Sequence, residues 1–224
     1  MIPPRPKAIF CWSGGKDSAL ALHELQTAGT HEVVALLTTV TAGYDRISMH
    51  GVRRALLQAQ AAAIGLPVRE VAITQAASNG EYERAMGAAL AAARAEGVTV
   101  CVFGDIFLED LRRWREERLA RVGLQGLFPI WRRDTRELIR EFLARGFRTV
   151  VVCVDPRVMP SSFAGREIDE QFLRDLPVGV DPCGENGEFH TFTYDGPIFR
   201  APVRWQHGAV VSREGFIFCD LVPA

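Results

Sequence analysis

The sequence carries almost no net charge: 26 Lys and Arg stand against 27 Asp and Glu, a formal charge of −1. That excludes the broad basic field with which a chain grips nucleic acid, and no nucleic-acid partner is expected. It has no apolar run approaching the ~18 residues of a membrane span, so no membrane association is expected. Residues 1–12, MIPPRPKAIFCW, hold no long apolar stretch after their basic residues, and no signal peptide is expected. Cysteine is sparse, with five residues at 11, 101, 153, 183 and 219 and no CxxC pair. That argues against a zinc knuckle and for reduced thiols in a cytoplasmic protein. There are no repeats, and the Ala-rich run at 88–95 reads as helix. With 224 residues, 48% of them hydrophobic, the chain can bury roughly 70% of its unfolded surface without staples.

What is present is a rhythm. Strand candidates at 8–12, 32–39, 68–73 and 98–103 alternate with helical patterns at Leu20, Leu22 and Leu25, closed by Gly29, and at 52–64, 81–96 and 109–122. Such βαβ units predict a parallel, doubly wound sheet with helices on both faces. Asp134 is expected to cap a further helix over 134–144, and 148–154 is a strand that suits either part of the chain. From Asp155 to Pro202 six prolines interrupt the rhythm, with only a short helical pattern around 168–173. Turn signals at His207-Gly208 and Glu214-Gly215 predict hairpins within 203–221. The expected division is a first domain over 1–128 and a smaller α+β domain over 129–224.

The sharpest local signal is Ser13-Gly14-Gly15-Lys16-Asp17-Ser18, placed between the first strand and the first helix. It is no Walker loop: Asp17, not Ser or Thr, follows the lysine. Its physics still favours phosphate. Gly14 and Gly15 let backbone N–H groups approach an anion, and the helix start adds its positive dipole end. Ser13 and Ser18 add hydroxyls and Lys16 a charge. Asp17 either caps the helix or holds Mg²⁺. Ligands of such sheets bind at the carboxyl ends of strands, which places Gly104-Asp105 on the same rim as the loop. Asp105 there is suited to Mg²⁺, to ammonium or to substrate. His50, in Met49-His50-Gly51 before a helix, is expected on that rim too.

These residues resemble the SGGxDS signature of the PP-loop ATP pyrophosphatases. Three further stretches narrow the likeness: Met49-His50-Gly51 with Gln58-Ala59-Gln60; Gly104-Asp105-Ile106 with Glu109, Arg112, Arg113, Trp114 and Glu116; and Gly184-Glu185-Asn186-Gly187-Glu188-Phe189-His190-Thr191. Together they resemble the diphthine–ammonia ligase family over essentially the whole chain, the third stretch being the most specific. The resemblance implies an adenine nucleotide alpha hydrolase-like, Rossmann-like fold. It also implies ATP with Mg²⁺ as cofactors and ammonium as co-substrate, with a protein acceptor resembling translation elongation factor 2. The reaction it implies activates a carboxylate as an acyl-adenylate, with release of pyrophosphate, for attack by ammonia. On this reading Asp105, Glu185 and Glu188 are catalytic, and Ser13 to Ser18 bind ATP. His50, Trp114, Glu116, Gly184, Asn186, Gly187, His190 and Thr191 bind substrate. The chain is expected to be the short form, without the domain appended in long eukaryotic members, and homodimerisation stays open. Two other readings stay open: a PP-loop enzyme acting on a small molecule or tRNA, and a non-catalytic ATP-binding module. A thiol role for Cys183, as in sulfur-transfer relatives, is the weaker expectation for that residue.

Overall fold

The computed structural model describes residues 4–43, 45–47, 51–74 and 77–224. Its first half is the predicted alternation. Strands β1 (Lys7–Cys11), β2 (Glu32–Thr41), β4 (Val68–Ile73), β5 (Val98–Val102) and β6 (Gln125–Leu127) lie parallel in the order β4-β2-β1-β5-β6. A two-residue strand, β3 (Arg46–Ile47), adds antiparallel to β2. The sheet is covered on both faces. From β1, Ala8, Phe10 and Trp12 point into one apolar cluster with Leu22 and Leu25 of α1 (Lys16–Ala28) and Leu56 and Leu57 of α2 (Arg54–Ile64). Ile9 points the other way, among Leu90 and Ala93 of α3 (Asn79–Ala95) and Leu119 of α4 (Glu109–Arg121). Burial on both sides is why β1 reads as an unbroken apolar run rather than an alternating one.

Local chemistry sets the helix ends. Ser78 and Glu81 form a reciprocal capping box on α3. Asp134 Oδ1 accepts from the N–H groups of Arg136 and Glu137 at the start of α5 (Thr135–Ala144), as its position predicts. Gly29 and Gly65 close α1 and α2 in the left-handed conformation. The N-cap of α1 is Gly15, which supplies no side-chain acceptor.

The second half builds an antiparallel sheet in the order β8-β7-β10-β9, from β7 (Arg148–Val154), β8 (Phe189–Asp195), β9 (Trp205–Arg213) and β10 (Phe216–Pro223). The strand at 148–154 therefore belongs here. A short helix, α6 (Glu170–Asp175), occupies the predicted helical pattern. Only one of the two predicted turns exists: β9 and β10 reverse at Glu214-Gly215, while His207-Gly208 stays within β9. Gly208 instead permits a close cross-strand approach, since a Cβ there would lie 3.1 Å from Asp220 Cβ. Strands β6 and β8 were not predicted.

The two sheets share one core. Val150 to Val152 and Phe192 join the cluster that buries Phe10 and Trp12. Helix α5 packs back toward α1, with Phe142 stacked on Phe147 at 4.7 Å and His23 edge-on to the same ring. No helix among the described residues is long and apolar enough to cross a membrane.

Candidate active site

The loop after β1 is held from behind by one buried amide. Gln60, fully buried in α2, accepts from Trp12 Nε1 at 3.0 Å. Its Nε2 donates to the carbonyls of Gly14 at 2.9 Å and Thr193 at 2.6 Å. Thr193 N–H also donates to Gly14 O at 2.9 Å. Gly14 has φ +80, and a Cβ on it would sit 2.8 Å from Gln60 Oε1. Both the backbone conformation and the clamp therefore exclude a side chain there. Within the loop, the Ser13 and Ser18 hydroxyls lie 2.8 Å apart, and Lys16 N–H donates to Thr191 Oγ1 at 3.1 Å. The loop is thus wedged between α2 and β8, with its helix start facing a cleft.

That cleft has a volume of about 310 Å³. Three separate chain segments converge on it. Ser13, Gly15, Lys16, Asp17 and Ser18 come from the loop, and Gly104 and Asp105 from the end of β5. Gly184, Glu185, Gly187, His190 and Thr191 come from the approach to β8 and from the strand itself. Leu37, Met86, Phe103 and Leu111 line its apolar side. Gly104 presses on the loop: a Cβ there would meet Asp17 C and Ser18 N at 2.9 Å.

Charge in the cleft is concentrated and desolvated. Lys16 is buried, and its Nζ donates to Asp17 Oδ2 at 2.8 Å and to the carbonyl of Cys183. Burial acts to lower its pKa, but Asp17 more than offsets this and the ammonium group stays charged. Burial outweighs Lys16 at Asp17, whose pKa is raised. Glu185 Oε1 accepts from Ile106 N–H at 2.7 Å. Burial, with Asp17 and Asp105 nearby, still pushes the Glu185 pKa up to about 7. Burial and then Lys16 lower His190 to about 4, so its ring is neutral at physiological pH. Asp105 is gripped in a fork by Arg115, at 2.7 and 3.2 Å, whose guanidinium lies 4.3 Å from the Phe103 ring centroid.

Among the described residues no three His, Cys, Asp or Glu side chains group as a metal cage. Mg²⁺ carried by nucleotide phosphates needs only one or two carboxylates. Asp17, a carboxylate that lines the cleft beside the loop, fits that mode.

Not every predicted site residue reaches the cleft wall. Glu188 is buried behind it, its Oε1 accepting from Asp181 N–H and Asn186 Nδ2 while its Oε2 has no partner. Glu188 and Asn186 thus brace the turn that carries Glu185. Trp114 stands on α4 against Tyr82, with rings 6.3 Å apart, and under Arg118. Glu116 pairs with Arg112 at 2.8 Å. Gly14 works from behind the wall, and His50 lies outside the described residues. Cys183 is a buried thiol donating to Thr135 O, its pKa pushed far up by burial. Sequence reasoning did not assign the roles of Gln60, Arg115 and Asp181, the last of which accepts from Glu185 N–H at 2.8 Å. Gln60 had a usable signal: it is the one polar residue at a helix position flanked by Leu56, Leu57, Ala61 and Ile64, all of which are buried.

Known proteins share this arrangement of sequence. Residues 6–126 match the family model of the diphthamide synthase N-terminal domain, and residues 134–217 that of the C-terminal domain. A Danio rerio protein named diphthine–ammonia ligase is 29% identical, covering 85% of this chain and 83% of its own length. Proteins of the same name from Homo sapiens and Bos taurus are 28% and 27% identical, covering 93% of this chain and 86% of theirs. The chain thus belongs to the diphthamide synthase family.

Proposed function

We propose that the chain is an ATP-dependent, amide-forming ligase that amidates the carboxylate of diphthine on a protein acceptor resembling elongation factor 2, using ammonium, in the cytoplasm. The observation that carries this reading is the convergence of the phosphate-type loop and the Glu185 turn on one cleft. Residues 1–128 would then hold the nucleotide, and 129–224 would present the acceptor side.

The uncapped start of α1, with the hydroxyls of Ser13 and Ser18 and the Lys16 charge, suits the polyphosphate. The apolar wall of Leu37, Met86 and Phe103 suits the base. Mg²⁺ held by Asp17 would neutralise phosphate charge and ease departure of pyrophosphate. An acceptor carboxylate oxygen attacks the α-phosphorus and the bond to pyrophosphate breaks, giving an acyl-adenylate. Glu185, with a pKa near 7, takes a proton from ammonium. The freed ammonia attacks the acyl carbon and AMP leaves. Asp105, fixed by Arg115, and Thr191, fixed to the loop, keep these groups in place.

Glu185→Gln tests the assignment. The ammonium KM should rise and kcat should fall, while ATP affinity holds within about twofold. An unchanged ammonium dependence would remove Glu185 from the nucleophile's side of the site.

A further inference from the structure

A second cavity, of about 410 Å³, opens beside the loop cleft between the end of β2 and the β9–β10 hairpin. The two spaces share Ile47, Tyr82 and His190 as a common wall. Their charge differs in sign. The cleft gathers Asp17, Asp105 and Glu185 against Lys16 and Arg115, a formal balance of one negative charge. The second cavity gathers Arg46, Arg213 and Glu214, with Phe216 and Phe218 as its apolar flank.

Arg46 and Arg53 divide a single carboxylate between them, Asp220, at 2.7 and 2.6 Å. That cluster therefore keeps one positive charge, while Arg213 and Glu214 offset each other at the hairpin tip. The Arg213 guanidinium lies 6.0 Å from the Phe218 ring centroid, at the edge of cation–π range.

Amide formation brings together three reactants of different charge. Phosphates suit the loop amides and Lys16. Ammonium suits Glu185 and Asp17. A carboxylate acceptor lodged in the cleft would compete with Asp17, Asp105 and the phosphates for Lys16 and Arg115 and would face Glu185 in a desolvated space, which is costly. The adjoining cavity offers the opposite sign, an apolar flank and one shared wall to the reacting centre. We propose that this second cavity is the acceptor subsite. It takes the body of a carboxylate borne on an extended, partly apolar chain, and Arg46 and Arg213 steer the carboxylate toward the loop cleft.

This inference rests on the ligase reading above, and the experiment separates the two. AMP formation is measured with wild type, Arg213→Glu and Phe216→Ala, varying elongation factor 2 that carries diphthine, and ATP is titrated separately by calorimetry. Arg213→Glu should raise the acceptor KM about tenfold or more, as loss of a charge-assisted contact does. Phe216→Ala should raise it several-fold, and ATP affinity should stay unchanged in both. Normal turnover with unchanged acceptor KM in both variants overturns the acceptor subsite alone. A wild-type protein that neither turns over nor binds this acceptor overturns the ligase reading, and the inference with it.

Discussion

Glu185 and His190 line the same cleft with pKa values displaced in opposite directions, and the consequence is measurable. Glu185 holds its proton to about pH 7 when folded, against 4.5 ordinarily. The unfolded chain releases that proton first, so stability contributed here falls as pH rises from about 4.5 to 7. His190, at about 4 against 6.5, binds its proton more weakly when folded. Its contribution is present above 6.5 and is lost as pH falls toward 4, so the two slopes oppose each other. Glu185→Gln removes one of them. The melting temperature of the variant relative to wild type should climb between pH 4.5 and 7 and then level, as thermal scans in a pH series will show. A difference that is flat across the series would mean Glu185 is not the desolvated acid described. In kcat/KM, wild type should show an acid limb near pH 7 that the variant lacks. At the same scale, Gln60→Leu leaves Trp12 Nε1 without its acceptor and the Gly14 carbonyl with Thr193 N–H alone. It should cost about 1–3 kcal/mol per orphaned group in denaturant titration and weaken ATP binding as the loop loosens. The acidic pair of residues 185 and 188 stood out in the sequence, but their division of labour did not. Which carboxylate faces the cleft and which braces the turn depends on contacts with Ile106, Asp181 and Asn186.

The elements show why some of the fold could be read and some could not. Strands β1, β2 and β5 are apolar runs, α1 and α2 stop at left-handed glycines and α3 opens on a capping box, so the alternation is visible. Strand β8 (FHTFTYD) was hidden because it follows a proline- and glycine-rich stretch and carries polar residues that serve the site. Thr191 bonds the loop, and Thr193 reaches both Gly14 and the Thr149 hydroxyl. Strand β6 has three residues and exists by pairing with β5. The hairpin at 214–215 was legible, whereas Gly208 mimicked a turn because cross-strand crowding also selects glycine. The segment after β5 presses directly on the loop. Gly104→Ala puts a methyl group 2.9 Å from the backbone of Asp17 and Ser18. The loop must shift, so nucleotide affinity should fall at least tenfold while circular dichroism stays native. Unchanged nucleotide binding would mean that the loop position is not what ATP reads.

At the scale of the molecule, two sheets with different topologies enclose one apolar core, and the cleft lies where they meet. The sequence placed the loop and Asp105 on one rim through the rule for parallel sheets. It could not place Gly184 to Thr191 there by that rule, because the antiparallel sheet docks through long-range contacts of Thr191, Thr193 and Gln60. The second cavity lies at the same junction, its arginines contributed by β3 and by the β9–β10 hairpin. The near-zero net charge thus conceals a local sorting, one net negative charge lining the loop cleft and one net positive charge lining the cavity beside it. The central claim is that this junction couples ATP cleavage to amide formation. The most direct test is product analysis of ATP turnover by the whole chain with Mg²⁺, resolving AMP and pyrophosphate from ADP, with ammonium and the diphthine-bearing acceptor added singly and together. The account predicts AMP and pyrophosphate in equal amounts with the amidated acceptor, and only when both are present. ADP as the product, or AMP formed at the same rate without ammonium and acceptor, would contradict it.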